Sequence, residues 1–96
     1  MSASVTIYTT DYCPYCTRAK YLLQKKGAAF EEVSAEDRPE LRSWLRKASG
    51  QTTVPQVFIN GRAVGGFTDI AELDRRGQLD KLLAEDPPAG ELGLLR

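Results

Sequence analysis

Histidine is missing altogether from this 96-residue sequence, and cysteine occurs only twice. Without an imidazole, general acid-base work by histidine is excluded. Two cysteines and no histidine cannot complete a four-ligand zinc site of the usual Cys/His kind within one chain. Neither sign of charge is in excess: thirteen Lys plus Arg balance thirteen Asp plus Glu. No overall field then draws the chain to nucleic acid or to an anionic membrane, and partners must be recognised locally. Nowhere do the roughly 18 apolar residues needed to cross a bilayer run together, and "MSASVTIY" lacks a charged n-region followed by an apolar h-region. The expectation is a cytoplasmic monomer with no membrane or nucleic-acid partner. Such a length suits one domain with one modest core, placed at residues 1–86.

What is there begins with the two cysteines, three residues apart in "TTDYCPYCTRAK", Thr9 to Lys20. In a reducing cytosol structural disulfides are rare, so a close pair is redox-active or metal-binding rather than a staple. Upstream, the β-branched and aromatic "VTIYT", Val5 to Thr9, reads as a buried strand. Downstream, Pro14 to Lys26 sets Ala19, Leu22 and Leu23 at helical spacing, with basic residues in the last turn and Gly27 as C-cap. "AAFEEVS", Ala28 to Ser34, is a second strand candidate. A second helix follows, with Leu41, Trp44, Leu45 and Ala48 along one face and Gly50 closing it. "QVFIN" is a strand, Asn60-Gly61 a hairpin turn signal, and "RAV" a return strand ending at Gly65-Gly66. Thr68 reads as the N-cap of "DIAELDRRG", which "QLDKLLAED" continues until Pro87-Pro88 ends it. The order is βαβα followed by ββα, which favours a layered α/β sheet. Residues 87–96 have little to pack and read as a loosely held tail.

If the helix begins at Pro14, Cys13 is its N-cap and Cys16 its third residue, so both sulfurs meet in the first turn. Proline belongs at the first helical position, which needs no amide hydrogen. The free N–H groups and positive dipole end there favour an anion and lower a thiol pKa from its free value of about 8.5. Cys13 is then the nucleophile. Cys16, one turn inside and more shielded, resolves a mixed disulfide on Cys13 and releases the substrate. The pair alone also fits half of a metal site shared by two chains. Tyr15, between the cysteines, either flanks a substrate or is simply an exposed aromatic. Thr53-Val54-Pro55 precedes a strand, and on base rates its proline is trans.

Taken together, "YTTDYCPYC", "TTVPQVFING" and "GGFTDI" at these separations resemble a glutaredoxin of the dithiol type, like small bacterial members, over about Val5 to Leu83. That resemblance implies a thioredoxin-like fold, a four-stranded mixed sheet flanked by helices. It implies a glutathione-dependent thiol-disulfide oxidoreductase acting on protein disulfides and glutathionylated proteins, with glutathione as co-substrate and no tightly bound cofactor or metal. It also implies that Pro55 is cis and that Val54 pairs its backbone with the substrate beside Thr53. Gly65 and Gly66 would admit the backbone of a ligand. The Thr68 and Asp69 N–H groups would hold the γ-glutamyl carboxylate, and the Asp69 side chain the ammonium. Arg42 is aligned to the second carboxylate, although Arg38, Arg42 and Arg46 also repeat as a solvated helix face. The sequence departs from many members at Thr10, where they carry a lysine. Three rival readings remain: a donor reduced by thioredoxin reductase, a glutathione-ligated dimer carrying an iron-sulfur cluster, and a zinc-linked dimer.

Overall fold

A computed structural model describes residues 2–96, so Met1, the first residue of the expected domain, lies outside the described residues. Its elements run β1 (Val5–Thr9), α1 (Pro14–Lys25), β2 (Glu31–Ser34), α2 (Pro39–Ser49), β3 (Gln56–Ile59), β4 (Arg62–Gly65), α3 (Phe67–Arg75) and α4 (Gln78–Ala84). The sheet order is β2-β1-β3-β4. β1 pairs parallel with β2 and antiparallel with β3, and β3 pairs antiparallel with β4. This is the mixed four-stranded sheet expected for a thioredoxin-like fold.

β1 is buried along its whole length because it has a neighbour on each edge and helices on each face. Its alternation decides which face each side chain serves. Val5 and Ile7 join Val57, Ile59, Ala19, Leu23, Ile70 and Leu79 in one cluster. Tyr8 joins Val33, Ala35, Leu41, Leu45 and Phe58 in the other. Burying an aliphatic side chain such as Leu23 contributes about 1.5–3 kcal/mol, so the first layer holds α1 against β1 and the second holds α2 there.

Three local expectations need correcting. The last helix is two, because Gly77 adopts φ +74 and breaks it between α3 and α4. Its first N-cap is Gly66, not Thr68, which lies inside the first turn of α3. Ala48 is exposed, since the buried face of α2 is set by Leu41 and Leu45. Tail residues 87–96 also have partners that their own composition does not suggest. The Tyr8 hydroxyl donates to the Leu95 carbonyl at 2.6 Å, Leu94 packs against the Tyr8 cluster, and Arg96 pairs with Glu31 at 2.9 Å.

Candidate active site

Cys13 caps α1 with extended backbone, φ −112 and ψ 101, and Pro14 follows as the first helical residue. Tyr12 before it adopts φ +54 with its ring fully in solvent. A left-handed non-glycine residue costs of order 1 kcal/mol, and here it turns the chain from the end of β1 into the start of α1. Cys13 and Cys16 form a disulfide with Cα atoms 5.1 Å apart, well inside the reach of such a bond. The Cys16 backbone N–H points at the Cys13 sulfur over 3.1 Å. A donor in that place stabilises a thiolate on Cys13 once the disulfide opens. Cys13 is partly exposed, whereas Cys16 is 2% exposed, so an incoming sulfur reaches Cys13 first.

Beside the disulfide runs a groove of about 240 Å³. Tyr15 forms one wall, Thr53, Val54 and Pro55 a second, and Gly66, Thr68 and Asp69 a third. The Val54-Pro55 peptide bond is cis, and the Val54 carbonyl oxygen lies 3.8 Å from the Cys13 sulfur. The N–H groups that open α3 lie next to the Asp69 carboxylate. Asp69 Oδ2 accepts the Gly66 N–H at 2.9 Å, which fixes the carboxylate over the helix start. Gly65, at φ +104, lies so close beneath that a Cβ there would strike the Asp69 carboxylate. A Cβ on Gly66 would stand 3.0 Å from the Pro55 carbonyl. The glycine pair therefore makes room for the protein's own groups around the groove.

Arg42 stands apart from the other candidates. It does not line the groove; its guanidinium donates to the Thr52 carbonyl at 3.4 Å. Two lining residues, Gln51 and Phe67, were not among the candidates. Phe67 was visible as the aromatic after Gly65-Gly66. Gln51 was not, because its place depends on Gln56, which is wholly buried. Gln56 Nε2 donates to Gln51 Oε1 at 2.8 Å and to the Thr53 carbonyl at 3.0 Å, tying the loop before Pro55 to β3. Among the described residues, its own Oε1 is buried without a hydrogen-bond partner.

A sequence profile of the family described as Glutaredoxin matches residues 5–64, well over half of the chain. The chain belongs to the glutaredoxin family. A glutaredoxin of Pseudomonas aeruginosa is 52% identical over 80 residues, 83% of this chain and 95% of the relative. Glutaredoxin 3 of Escherichia coli K12 is 49% identical over 81 residues, 84% of this chain and 98% of the relative. Among solved structures, the glutaredoxin of Brucella melitensis superposes with a TM-score of 0.77 at 49% identity, covering 85% of this chain and 89% of that one. A buckwheat glutaredoxin-glutathione complex gives a TM-score of 0.79 at 32% identity, covering 84% of this chain and 76% of that one. The glutaredoxin fold and the Cys13–Cys16 dithiol make this chain a thiol-disulfide oxidoreductase. Among the described residues, no helix is long and apolar enough to cross a membrane.

Proposed function

We propose that this glutaredoxin uses glutathione to reduce protein disulfides and to remove glutathione from glutathionylated proteins, working as a cytoplasmic monomer with its active domain in residues 1–86. The observation that carries the reading is the groove itself: its lining sets the amides that open α3 beside the Asp69 carboxylate, and its Val54 wall carries the carbonyl oxygen 3.8 Å from the Cys13 sulfur. Helix-start amides suit a carboxylate, and the Asp69 carboxylate suits an ammonium. That is the chemistry of the γ-glutamyl end of glutathione, and the buckwheat relative was solved in complex with glutathione. The half-buried Val54, in the groove wall before the cis bond to Pro55, offers its backbone for strand-like pairing with the rest of the tripeptide, with Tyr15 and Thr53 in the same lining. Arg42, whose guanidinium donates to the Thr52 carbonyl beside the Thr53 wall, is the cation assigned to the second carboxylate.

Deglutathionylation runs by two exchanges. The Cys13 thiolate attacks the glutathione sulfur of the mixed disulfide, the protein leaves as a thiolate, and Cys13 carries the glutathione. A second glutathione thiolate then attacks that sulfur, giving oxidised glutathione and free Cys13. With a protein disulfide, Cys13 instead forms a mixed disulfide with the protein. The Cys16 thiolate displaces the protein from Cys13, closing the Cys13–Cys16 disulfide, which two glutathione molecules reopen. Where many relatives of the resembled type carry a lysine, Thr10 leaves the amide at Cys16 and the start of α1 to stabilise the thiolate.

The test is NADPH consumption with glutathione, glutathione reductase and a small glutathione mixed disulfide, run beside an arm with thioredoxin reductase. Turnover is expected in the glutathione arm, lost in Cys13→Ser and kept in Cys16→Ser for the mixed disulfide. Turnover only in the thioredoxin reductase arm, or an active Cys13→Ser protein, overturns the proposal.

A further inference from the structure

A second groove, of about 460 Å³, opens between α1 and α3. Its floor is apolar, built from Leu22, Phe67 and Ala71 with the exposed Tyr21 ring at its edge. Its α1 rim is basic. Arg18 and Lys25 lie seven residues apart on that helix, about 10 Å along one face. Among the described residues, neither has a carboxylate within ion-pair distance. The Arg18 guanidinium instead lies 5.4 Å over the Tyr15 ring, and the Lys25 ammonium 6.0 Å over the Tyr21 ring. The one acid in the lining, Asp74, pairs with Lys26, which Asp80 shares, so within the lining two cations face one carboxylate. In a chain of zero net charge, this groove therefore holds uncompensated positive charge. It adjoins the catalytic groove: Phe67 lines both, and the Tyr15 and Phe67 rings pack at 6.4 Å.

We propose that the α1–α3 groove seats the residues flanking the reactive cysteine of a protein substrate, and that it selects a short extended segment with one large apolar side chain and neighbouring carboxylates. An extended chain rises about 3.3 Å per residue, so three to four residues span the distance from Arg18 to Lys25. The apolar side chain takes the floor, and the carboxylates meet cations whose aromatic supports already hold them in place. The inference rests on the disulfide reductase reading and adds which proteins that activity favours. A small glutathione mixed disulfide occupies only the first groove, so its turnover is independent of the second.

The test uses two glutathionylated peptides that differ only beside the cysteine, one carrying Asp-Leu-Asp and the other Lys-Leu-Lys, with a small glutathione mixed disulfide as reference. Wild-type protein is expected to show a kcat/KM about 10-fold higher for the acidic peptide at low salt, a gap that narrows as ionic strength rises. Lys25→Glu is expected to erase that preference while leaving the reference substrate unchanged. Equal turnover of both peptides by the wild type, or a preference that survives Lys25→Glu, overturns the inference. Failure of the reductase reading shows differently, as no turnover of the reference substrate. In that case anisotropy of the same peptides with serine replacing cysteine decides: tighter binding of the acidic peptide, weakened by Lys25→Glu, supports the groove, and equal binding refutes it.

Discussion

On one side of the sheet, α1, α3 and α4 close over β1 and β3 with an aliphatic cluster of Val, Ile, Leu and Ala. On the other, α2 lies alone, and the space beside it is filled by rings. Tyr8 meets Phe58 edge-on at 5.4 Å and Trp44 at 5.5 Å, and Trp44 stacks on Phe58 at 5.7 Å. Leu94 of the tail adds to that layer. Three helices can seal a sheet with small branched side chains; a single helix leaves a span that larger residues and a returning chain segment must cover. The ring-filled side also carries polar handles, and each holds a piece of irregular chain. The Tyr8 hydroxyl holds the tail at Leu95, and the Gln56 amide holds the loop that walls the catalytic groove. The aliphatic side therefore supplies mainly stability, whereas the aromatic side also sets the position of chain that has no secondary structure of its own.

That contrast breaks most visibly on the aliphatic side. Leu23→Ala is expected to cost about 2–5 kcal/mol, read as a lower urea midpoint, while the folded fraction keeps its KM. On the aromatic side, truncation after Gly90 is expected to cost about 1–3 kcal/mol and to shift Trp44 emission to the red as the Tyr8 layer meets water. An unchanged spectrum would show that the tail does not cover that layer in solution. Gln56→Leu separates stability from positioning. It removes the buried unpaired oxygen along with both donors, so stability should move by only about 1 kcal/mol. The KM for a glutathione mixed disulfide should nevertheless rise several-fold at constant kcat, because the Thr53 carbonyl and Gln51 lose their anchor. A KM that stays put would confine Gln56 to packing.

The smallest effect is a pH dependence. Burial is the main influence on the Tyr8 phenol and pushes it above its ordinary value; Arg96 and Arg38 oppose that shift and Glu31 adds to it. The neutral phenol is thus favoured by folding. Its contribution is complete below the ordinary tyrosine value and is lost as pH rises through the raised one, because the unfolded chain ionises first. Phenolate absorbance should show one tyrosine titrating late, and Tyr8→Phe should remove that late step.

Much of this was legible in the sequence where a local signal and the tertiary structure agree. The strand "VTIYT", proline at the start of α1, the Asn60-Gly61 turn and the two cysteines one turn apart each carry their own geometry. Legibility failed where a partner distant in sequence decides. Gly66 displaces Thr68 as N-cap because Asp69 turns back onto its amide, and Gln51 enters the groove wall because Gln56 reaches it from β3. The partners of the tail lie 65 and 87 residues away, beyond any local pattern.

Asn60, at the tip of the β3–β4 hairpin, is buried. Its Oδ1 accepts the Ser4 N–H at 2.8 Å, its own N–H donates to the Ser4 carbonyl at 2.8 Å, and its Nδ2 donates to the Glu85 and Asp86 carbonyls at 3.1 and 3.3 Å. One side chain thus gathers the entrance to β1 and the exit from α4 at the pole opposite the cysteines. For protein engineering, this means that the chain entering β1 at Ser4 and the chain leaving α4 at Glu85 can be treated as one anchoring point. A fluorescent domain or an immobilising support attached at that pole would leave the cysteine pole facing its substrates.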